Sequence, residues 1–143
     1  MDENRKKALI SLQTSTHPLC VMSTVTVDNV SESSLLAFVV REDLSLLIST
    51  HTSTRKWKNL ESNTAVSLVF GLAFGVVNVQ YEGVARLITE PEEIKKYDEE
   101  YFSARPELKQ YRVNDTGFIE ITPRWVRTVD FTQTPPKVEE SSF

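Results

Sequence analysis

The chain has 143 residues, of which 40% are hydrophobic and 25% are charged, and its formal net charge is −4. This length and balance predict one folded domain with a single core, and they argue against disorder over most of the chain. The acidic charge argues against nucleic acid as the main partner, because a protein that binds nucleic acid needs a broad basic face.

The chain also has few metal-binding side chains. Cys20 is the single cysteine, and His17 and His51 are the two histidines, so we expect neither a disulfide framework nor a zinc site. The N-terminal stretch is charged and lacks the apolar run of a signal peptide. The apolar stretch at 65–79 is too short and too often interrupted to span a bilayer. These features predict a cytoplasmic protein without a membrane partner.

In chain order, the pattern of apolar and polar residues first predicts a helix within residues 1–17, ending before His17 and Pro18. A short helix at 54–62 and a longer amphipathic helix that starts near Pro91 are predicted further along the chain. Between and after these helices, the predicted strands lie at 19–27, 34–40, 45–50, 64–70, 76–89 and 117–132.

Short turns between most of these strands favour antiparallel pairing, so the predicted fold class is mainly β. We expect a closed or split antiparallel barrel with flanking helices, formed as one domain by residues 1–143. The second and third strands, SLLAFVV and SLLIST, are apolar at consecutive positions, which predicts burial on both faces. The tail at 132–143 is polar and contains prolines, and we expect it to be loosely held.

The stretch STHTSTRKWKNLESN gathers hydroxyl and cationic side chains where the third predicted strand ends. Thr54, Arg55 and Lys56 stand at the start of the short helix, where unpaired N–H groups and the helix dipole favour an anion. A hydroxyl, a guanidinium and an ammonium together suit a phosphate monoester. A surface helix whose cations are merely solvated explains the same residues, so this stretch by itself leaves both interpretations open.

The order of the surrounding motifs resembles the flavin-binding split-barrel family of pyridoxamine 5′-phosphate oxidase. The resemblance begins at the third predicted strand, which ends in a hydroxyl residue. After a four-residue gap, a hydroxyl residue precedes Arg–Lys, and Asn–Leu then precedes another strand. TVTVDNVSESSLLAFVV is similar to that family's first hairpin, and PRWVRTVDF is similar to the closing strand of its small members. VNVQYEGVARLI resembles the family's strand with an amide side chain five residues before a glycine. The likeness covers residues 18–131.

The resemblance implies a six-stranded split β-barrel that forms a homodimer, with flavin mononucleotide (FMN) in the groove between the subunits. On the matching positions, Thr54, Arg55 and Lys56 are expected to hold the phosphate. Ser49 and Thr50 are expected to lie beside the flavin ring or the ribityl chain.

The resemblance further implies that the second strand, with Ser34 and Leu35, backs the flavin ring. Asn78 is expected to reach the flavin of the other subunit. The namesake enzyme has an arginine at the start of the second strand, where this chain has Glu32 before two serines. The namesake's C-terminal substrate-binding segment also has no clear counterpart, so we do not expect oxidation of pyridoxamine phosphate itself.

The function that the resemblance implies is an FMN-dependent oxidoreductase acting on an unidentified small molecule. The flavin would carry the reaction, so no catalytic side chain is assigned. The alternative is a non-catalytic carrier or sensor that binds flavin, a deazaflavin or haem in the same groove, with His17 or His51 as the haem ligand. A dimer whose groove has lost its cofactor is a further alternative.

The remaining candidates favour structural roles. Cys20 in its apolar strand predicts a buried, inert thiol. Trp57 and Trp125 are expected to pack against the barrel, with stacking of Trp125 on a flavin ring as the alternative. His51 is expected in a surface loop, with donation to the phosphate or an acid role near the flavin as the alternatives. The carboxylates of EPEEIKKYDEEY are expected on the solvated face of the long helix.

Overall fold

Residues 19–143, together with Glu3 and Lys6, are described by the computed structural model of the chain. Apart from Glu3 and Lys6, which are helical, the helix predicted within residues 1–17 lies outside the described residues. The strands are β1 (Leu19–Val25), β2 (Ser31–Ala37), β3 (Val39–Val40), β4 (Leu46–His51), β5 (Ala65–Phe70), β6 (Val77–Ile88), β7 (Thr116–Asp130) and β8 (Lys137–Ser142). The helices are α1 (Arg55–Ser62), α2 (Pro91–Ala104) and a 3₁₀ helix (Pro106–Tyr111).

All of these strands belong to one antiparallel sheet, in the order β2-β1-β5-β6-β7-β4-β3, with β8 paired to β7. Only Phe38 lies between β2 and β3, so the chain itself connects the two ends of the sheet, which curls into a split barrel. The predicted class, mainly β with flanking helices, is confirmed. The strand number differs from the predicted six because Phe38 divides the second strand and the tail adds β8.

Strand β8 shows that the segment 132–143 contains more than the loosely held tail that we expected. Its residues Lys137–Ser142 pair with Trp125–Asp130 of β7. On that side, β4 pairs with β7 only over Thr116–Ile121, so the second half of β7 has an open edge. The unpaired N–H and C=O groups of such an edge favour the addition of a strand, even one as polar as β8.

The longest pairing, between β6 and β7, contains an irregularity near Pro123. The register shifts between Glu82 and Gly83, which face Trp125 and Pro123 respectively and leave Arg124 as the extra residue. A proline has no N–H to donate to the strand ladder, and a bulge accommodates it.

Two apolar clusters stabilise the sheet. The barrel interior contains Phe38, Phe70 and Tyr81, and the rings of Phe38 and Phe70 meet edge to face with centroids 4.8 Å apart. The second cluster lies beneath α2, where Tyr101 packs against Phe118 of β7. Helix α2 is thus fixed on the outside of the barrel.

Strand β4 contributes to both clusters, since Leu47 lies beneath α2 and Ile48 lies inside the barrel. This confirms its predicted burial on both faces. The prediction is wrong for the second strand at Leu35, whose side chain is 59% exposed. Cys20 is fully buried, and burial raises the pKa of its thiol to about 12, as expected for an inert thiol.

Among the described residues, the helices are too short or too polar to cross a lipid bilayer.

Candidate functional site

The turn between β4 and α1 is fixed by Asp115, which lies just before β7. Its Oδ1 is 3.2 Å from Nδ1 of His51, and its Oδ2 accepts a hydrogen bond from the Ser53 hydroxyl at 3.0 Å. The backbone N–H of Thr52 donates to the Asp115 carbonyl at 2.9 Å. A residue far along the chain therefore determines the shape of this turn.

Helix α1 begins directly after the turn. Its N-cap residue, Thr54, donates its hydroxyl to the His51 carbonyl at 2.9 Å rather than accepting from the first-turn amides. Those amides, which have no partner within a helix, therefore donate no hydrogen bond to the N-cap side chain.

Helix α1 packs closely against the barrel. Trp57 and Leu60 are buried and belong to the barrel core, which confirms the packing predicted for Trp57. A Cβ atom on Gly117 of β7 would lie 2.7 Å from both the Trp57 ring and the Thr52 methyl group. Only a glycine at this position lets the helix and the turn come so near to β7.

A pocket of about 620 Å³ lies between β2 and β4 on one side and α2 with the 3₁₀ helix on the other. Leu35, Tyr101 and Phe102 give it apolar walls, while Ser49 and Thr50 line it with hydroxyl groups. Such a mixture of apolar surface and a few polar groups is typical of a small-molecule site.

A smaller pocket of about 310 Å³ lies beside the start of α1. It is polar, with the side chains of Ser34, Ser53 and Arg55 among its lining residues. Thr54 and Lys56 line both pockets. The two pockets are therefore neighbours, one with largely apolar walls and one with cationic side chains.

Lys56 borders both pockets. Its Nζ donates a hydrogen bond to the Thr50 hydroxyl at 3.2 Å. Burial lowers the pKa of Lys56 below the ordinary lysine value, because the charged form loses hydration. An anion bound here would offset that loss.

Arg55 has different surroundings, although it is the adjacent residue. Its side chain is 75% exposed, and its Nη1 lies 2.6 Å from Oε2 of Glu32, which is itself only 19% exposed. The other oxygen of Glu32 accepts from Nδ2 of Asn59 at 2.9 Å, and the same amide donates to the Thr24 hydroxyl at 3.0 Å. A carboxylate thus already lies against one of the two cations.

The structure brings together seven of the eight residues for which the sequence predicts a cofactor role. Asn78 is the exception, since it lines neither pocket and its amide donates to the carbonyls of Gly71 and Ala73 in its own hairpin. The larger pocket contains Leu35, Ser49 and Thr50, the smaller contains Ser34 and Arg55, and both contain Thr54 and Lys56.

Two residues of the site carry roles that sequence reasoning did not find. Arg105 is buried in the wall of the larger pocket, where it donates to the Phe38 carbonyl at 2.8 Å and to Glu107 at 2.6 Å. An arginine that ends an amphipathic helix carries no sequence signal of burial. The ion pair of Glu32 was also missed, although the first hairpin does place Glu32 opposite Thr24.

The comparisons with known proteins agree with this fold. Residues 7–130 match the sequence profile of the family described as pyridoxamine 5′-phosphate oxidase. Among curated proteins, none matches the chain significantly.

Solved structures resemble the chain at low sequence identity, so they bear on its fold alone. A Listeria innocua protein described as a candidate pyridoxamine 5′-phosphate oxidase has 19% identity and a TM-score of 0.68, covering 88% of this chain and 98% of its own. An FMN-binding protein of Nostoc punctiforme related to pyridoxamine 5′-phosphate oxidase has 13% identity and a TM-score of 0.66, covering 98% and 91%.

A heme-binding protein from Mycobacterium smegmatis has 14% identity and a TM-score of 0.76. The match covers 99% of this chain and only 59% of that protein. Proteins with this fold therefore include an FMN-binding protein and a haem-binding protein.

Proposed function

The chain belongs to the pyridoxamine 5′-phosphate oxidase family, and we propose that it binds FMN across the two neighbouring pockets beside α1. One observation carries this proposal: Lys56 and Thr54 line both the apolar pocket and the cationic pocket. FMN has the same two parts, a flat, largely apolar ring and a phosphate at the end of a polar chain.

The residues present fit this group. The larger pocket offers apolar surface from Leu35, Tyr101 and Phe102 for the ring, and Leu35 is far more exposed than a β-strand leucine on a core face. In the smaller pocket, the Lys56 ammonium provides donors for phosphate oxygens.

We further propose that the protein is an oxidoreductase acting on a small molecule. Bound FMN would supply hydride or electron transfer. The chain's own residues would bind and orient the cofactor, and α2 with the 3₁₀ helix would exclude water from one side of the larger pocket. His51, at the rim of that pocket, is held through Nδ1 by Asp115 and is placed to hydrogen-bond a ligand with Nε2.

A homodimer with the flavin at the subunit interface is part of the proposal. Leu19, Leu35 and Tyr111 border the larger pocket and are 36%, 59% and 67% exposed. A second subunit would cover this apolar surface and would complete the site, with Asn78 as the residue expected to reach across. Sedimentation velocity with and without FMN measures this association.

The role of Lys56 is tested by Lys56→Ala against a matched control, Lys58→Ala. Lys58 is exposed on the same helix and lines neither pocket. Loss of one charged hydrogen bond costs roughly 1.5–3 kcal/mol, so we expect Lys56→Ala to weaken FMN binding about 10- to 100-fold. Quenching of flavin fluorescence during titration measures the affinity.

The Lys58→Ala variant is expected to bind FMN like the unmodified protein. Equal affinity of both variants would show that the phosphate lies elsewhere, and equal weakening would indicate a general charge effect.

Haem is the second candidate ligand, and the position of His51 favours it. A histidine whose Nδ1 is held by a carboxylate presents Nε2 in the arrangement common among metal-ligating histidines. Titration with hemin and an absorbance scan separate the two ligands, because a Soret band that is lost in His51→Ala would support haem and argue against FMN.

A further inference from the structure

Glu32 places a carboxylate inside the smaller pocket, beside the cations proposed to hold a phosphate. It is held by two partners, Arg55 at 2.6 Å and the Asn59 amide at 2.9 Å. Asn59 is buried and is fixed in turn by Thr24 at 3.0 Å. The carboxylate is therefore a built-in part of the pocket, and it already engages Nη1 of the Arg55 guanidinium.

The charges of the pocket attract a dianion less strongly than its two cations alone would. Arg55, Lys56 and Glu32 are the charged residues that line it, so two positive charges are partly cancelled by one negative charge. A phosphate monoester carries about −1.5 to −2 at neutral pH, and like charges at short range in a partly buried site repel strongly. A neutral ribityl hydroxyl meets no such repulsion and is able to donate a hydrogen bond to the carboxylate.

We propose that Glu32 is a specificity-determining residue that reduces the preference of the site for FMN over the neutral flavin, riboflavin. This inference rests on the proposed flavin-binding function. The proposal assigns a flavin as the ligand of the site. Lys56 would be the main residue that recognises the flavin's terminal group, because Glu32 engages the guanidinium of Arg55.

The test compares the dissociation constants of FMN and riboflavin for the unmodified protein, Glu32→Gln and a control, Glu61→Gln. A glutamine keeps an oxygen that accepts from Asn59, so the local hydrogen bond is preserved while the charge is removed. Glu61 is exposed on α1 and lines neither pocket. Thermal unfolding of each variant confirms that it is folded.

For Glu32→Gln, we expect the ratio of the riboflavin constant to the FMN constant to rise about tenfold or more, through tighter FMN binding. Glu61→Gln should leave the ratio unchanged. A ratio in Glu32→Gln that is unchanged or lower would overturn the inference, because Glu32 would then be neutral or would orient Arg55 toward the phosphate.

The unmodified protein gives a second measurement that needs no substitution. Because one cation of the pair is engaged by Glu32, we expect its preference for FMN over riboflavin to stay below roughly a hundredfold at low salt. A larger preference would contradict the inference. If neither flavin binds to any variant, the proposed function itself fails, whereas FMN binding with a contradictory ratio overturns only the role of Glu32.

Discussion

Lys56 and Arg55 are adjacent cations, and their different surroundings give them different roles in the proposed binding of an anion. The Arg55 guanidinium is largely exposed and lies against Glu32. The Lys56 ammonium is half-buried, has the Thr50 hydroxyl as its partner and borders both pockets. In our proposal, Lys56 therefore contributes more than Arg55 to the attraction of an anionic ligand.

This difference predicts how FMN affinity depends on pH. Burial lowers the pKa of Lys56 below the ordinary value of 10.5, so its ammonium loses its proton at a lower pH than an exposed lysine does. The attraction for a phosphate is complete below that pKa and is lost as the pH rises through it. We expect FMN affinity to be constant near neutral pH and to fall in the alkaline range, before an ordinary lysine would titrate.

Lys56→Arg is the matched variant for this pH profile. An arginine stays charged throughout the accessible range, so the alkaline fall should disappear if the variant still binds FMN at neutral pH. An alkaline fall of the same size in both proteins would mean that another group is responsible.

At the scale of elements, a cluster of charged residues attaches α2 to the barrel. Glu120 of β7 accepts hydrogen bonds from Tyr97 of α2 at 2.6 Å, from Arg41 at 2.8 Å and from Arg86 at 3.2 Å. Arg41 also binds Glu100 of α2, with its Nη2 2.7 Å from that carboxylate. Because α2 forms a wall of the larger pocket, this cluster supports the site without contacting a ligand.

The surroundings of Glu120 predict that the free energy of unfolding depends on pH in the acid range. Burial acts to raise the pKa of Glu120, but the hydrogen bonds from Tyr97, Arg41 and Arg86 outweigh it and lower that pKa from 4.5 to about 2. A carboxyl group whose pKa is lowered in the folded state stabilises the fold above pH 4.5. That contribution is lost as the pH falls from 4.5 toward 2.

Glu120→Gln should therefore reduce the free energy of unfolding by roughly 1–2 kcal/mol at neutral pH. The difference from the unmodified protein should shrink as the pH falls toward 2. Urea unfolding at several pH values measures it, with Glu99→Gln, exposed on α2, as the control. A difference that stays constant with pH would show that the Glu120 charge does not stabilise the fold.

The barrel could be predicted from the sequence because local signals determine most of it. Strand β5, for example, alternates buried and exposed residues along its whole length. Strand β8 could not be predicted, since its sequence KVEESS is polar and its pairing depends on the open edge of β7. The division of the second strand at Phe38 could not be predicted either. It arises because β2 and β3 pair with different strands.

The site could be predicted where its residues are neighbours in sequence, as Thr54, Arg55 and Lys56 are. The same reasoning could not pair Glu32 with Arg55, since that contact depends on how α1 packs across the first hairpin. It also could not place α2 as a pocket wall, because an amphipathic pattern indicates that a face is buried and does not indicate what covers it.

For the molecule as a whole, the central claim is that one amphipathic anionic cofactor, FMN, occupies the two neighbouring pockets of each chain. The most direct measurement is a titration of the purified protein with FMN, followed by flavin fluorescence and by absorbance. We predict saturable quenching at one FMN per chain, with a shift of the flavin absorbance bands. No quenching, or a Soret band in the protein as purified, would contradict the claim.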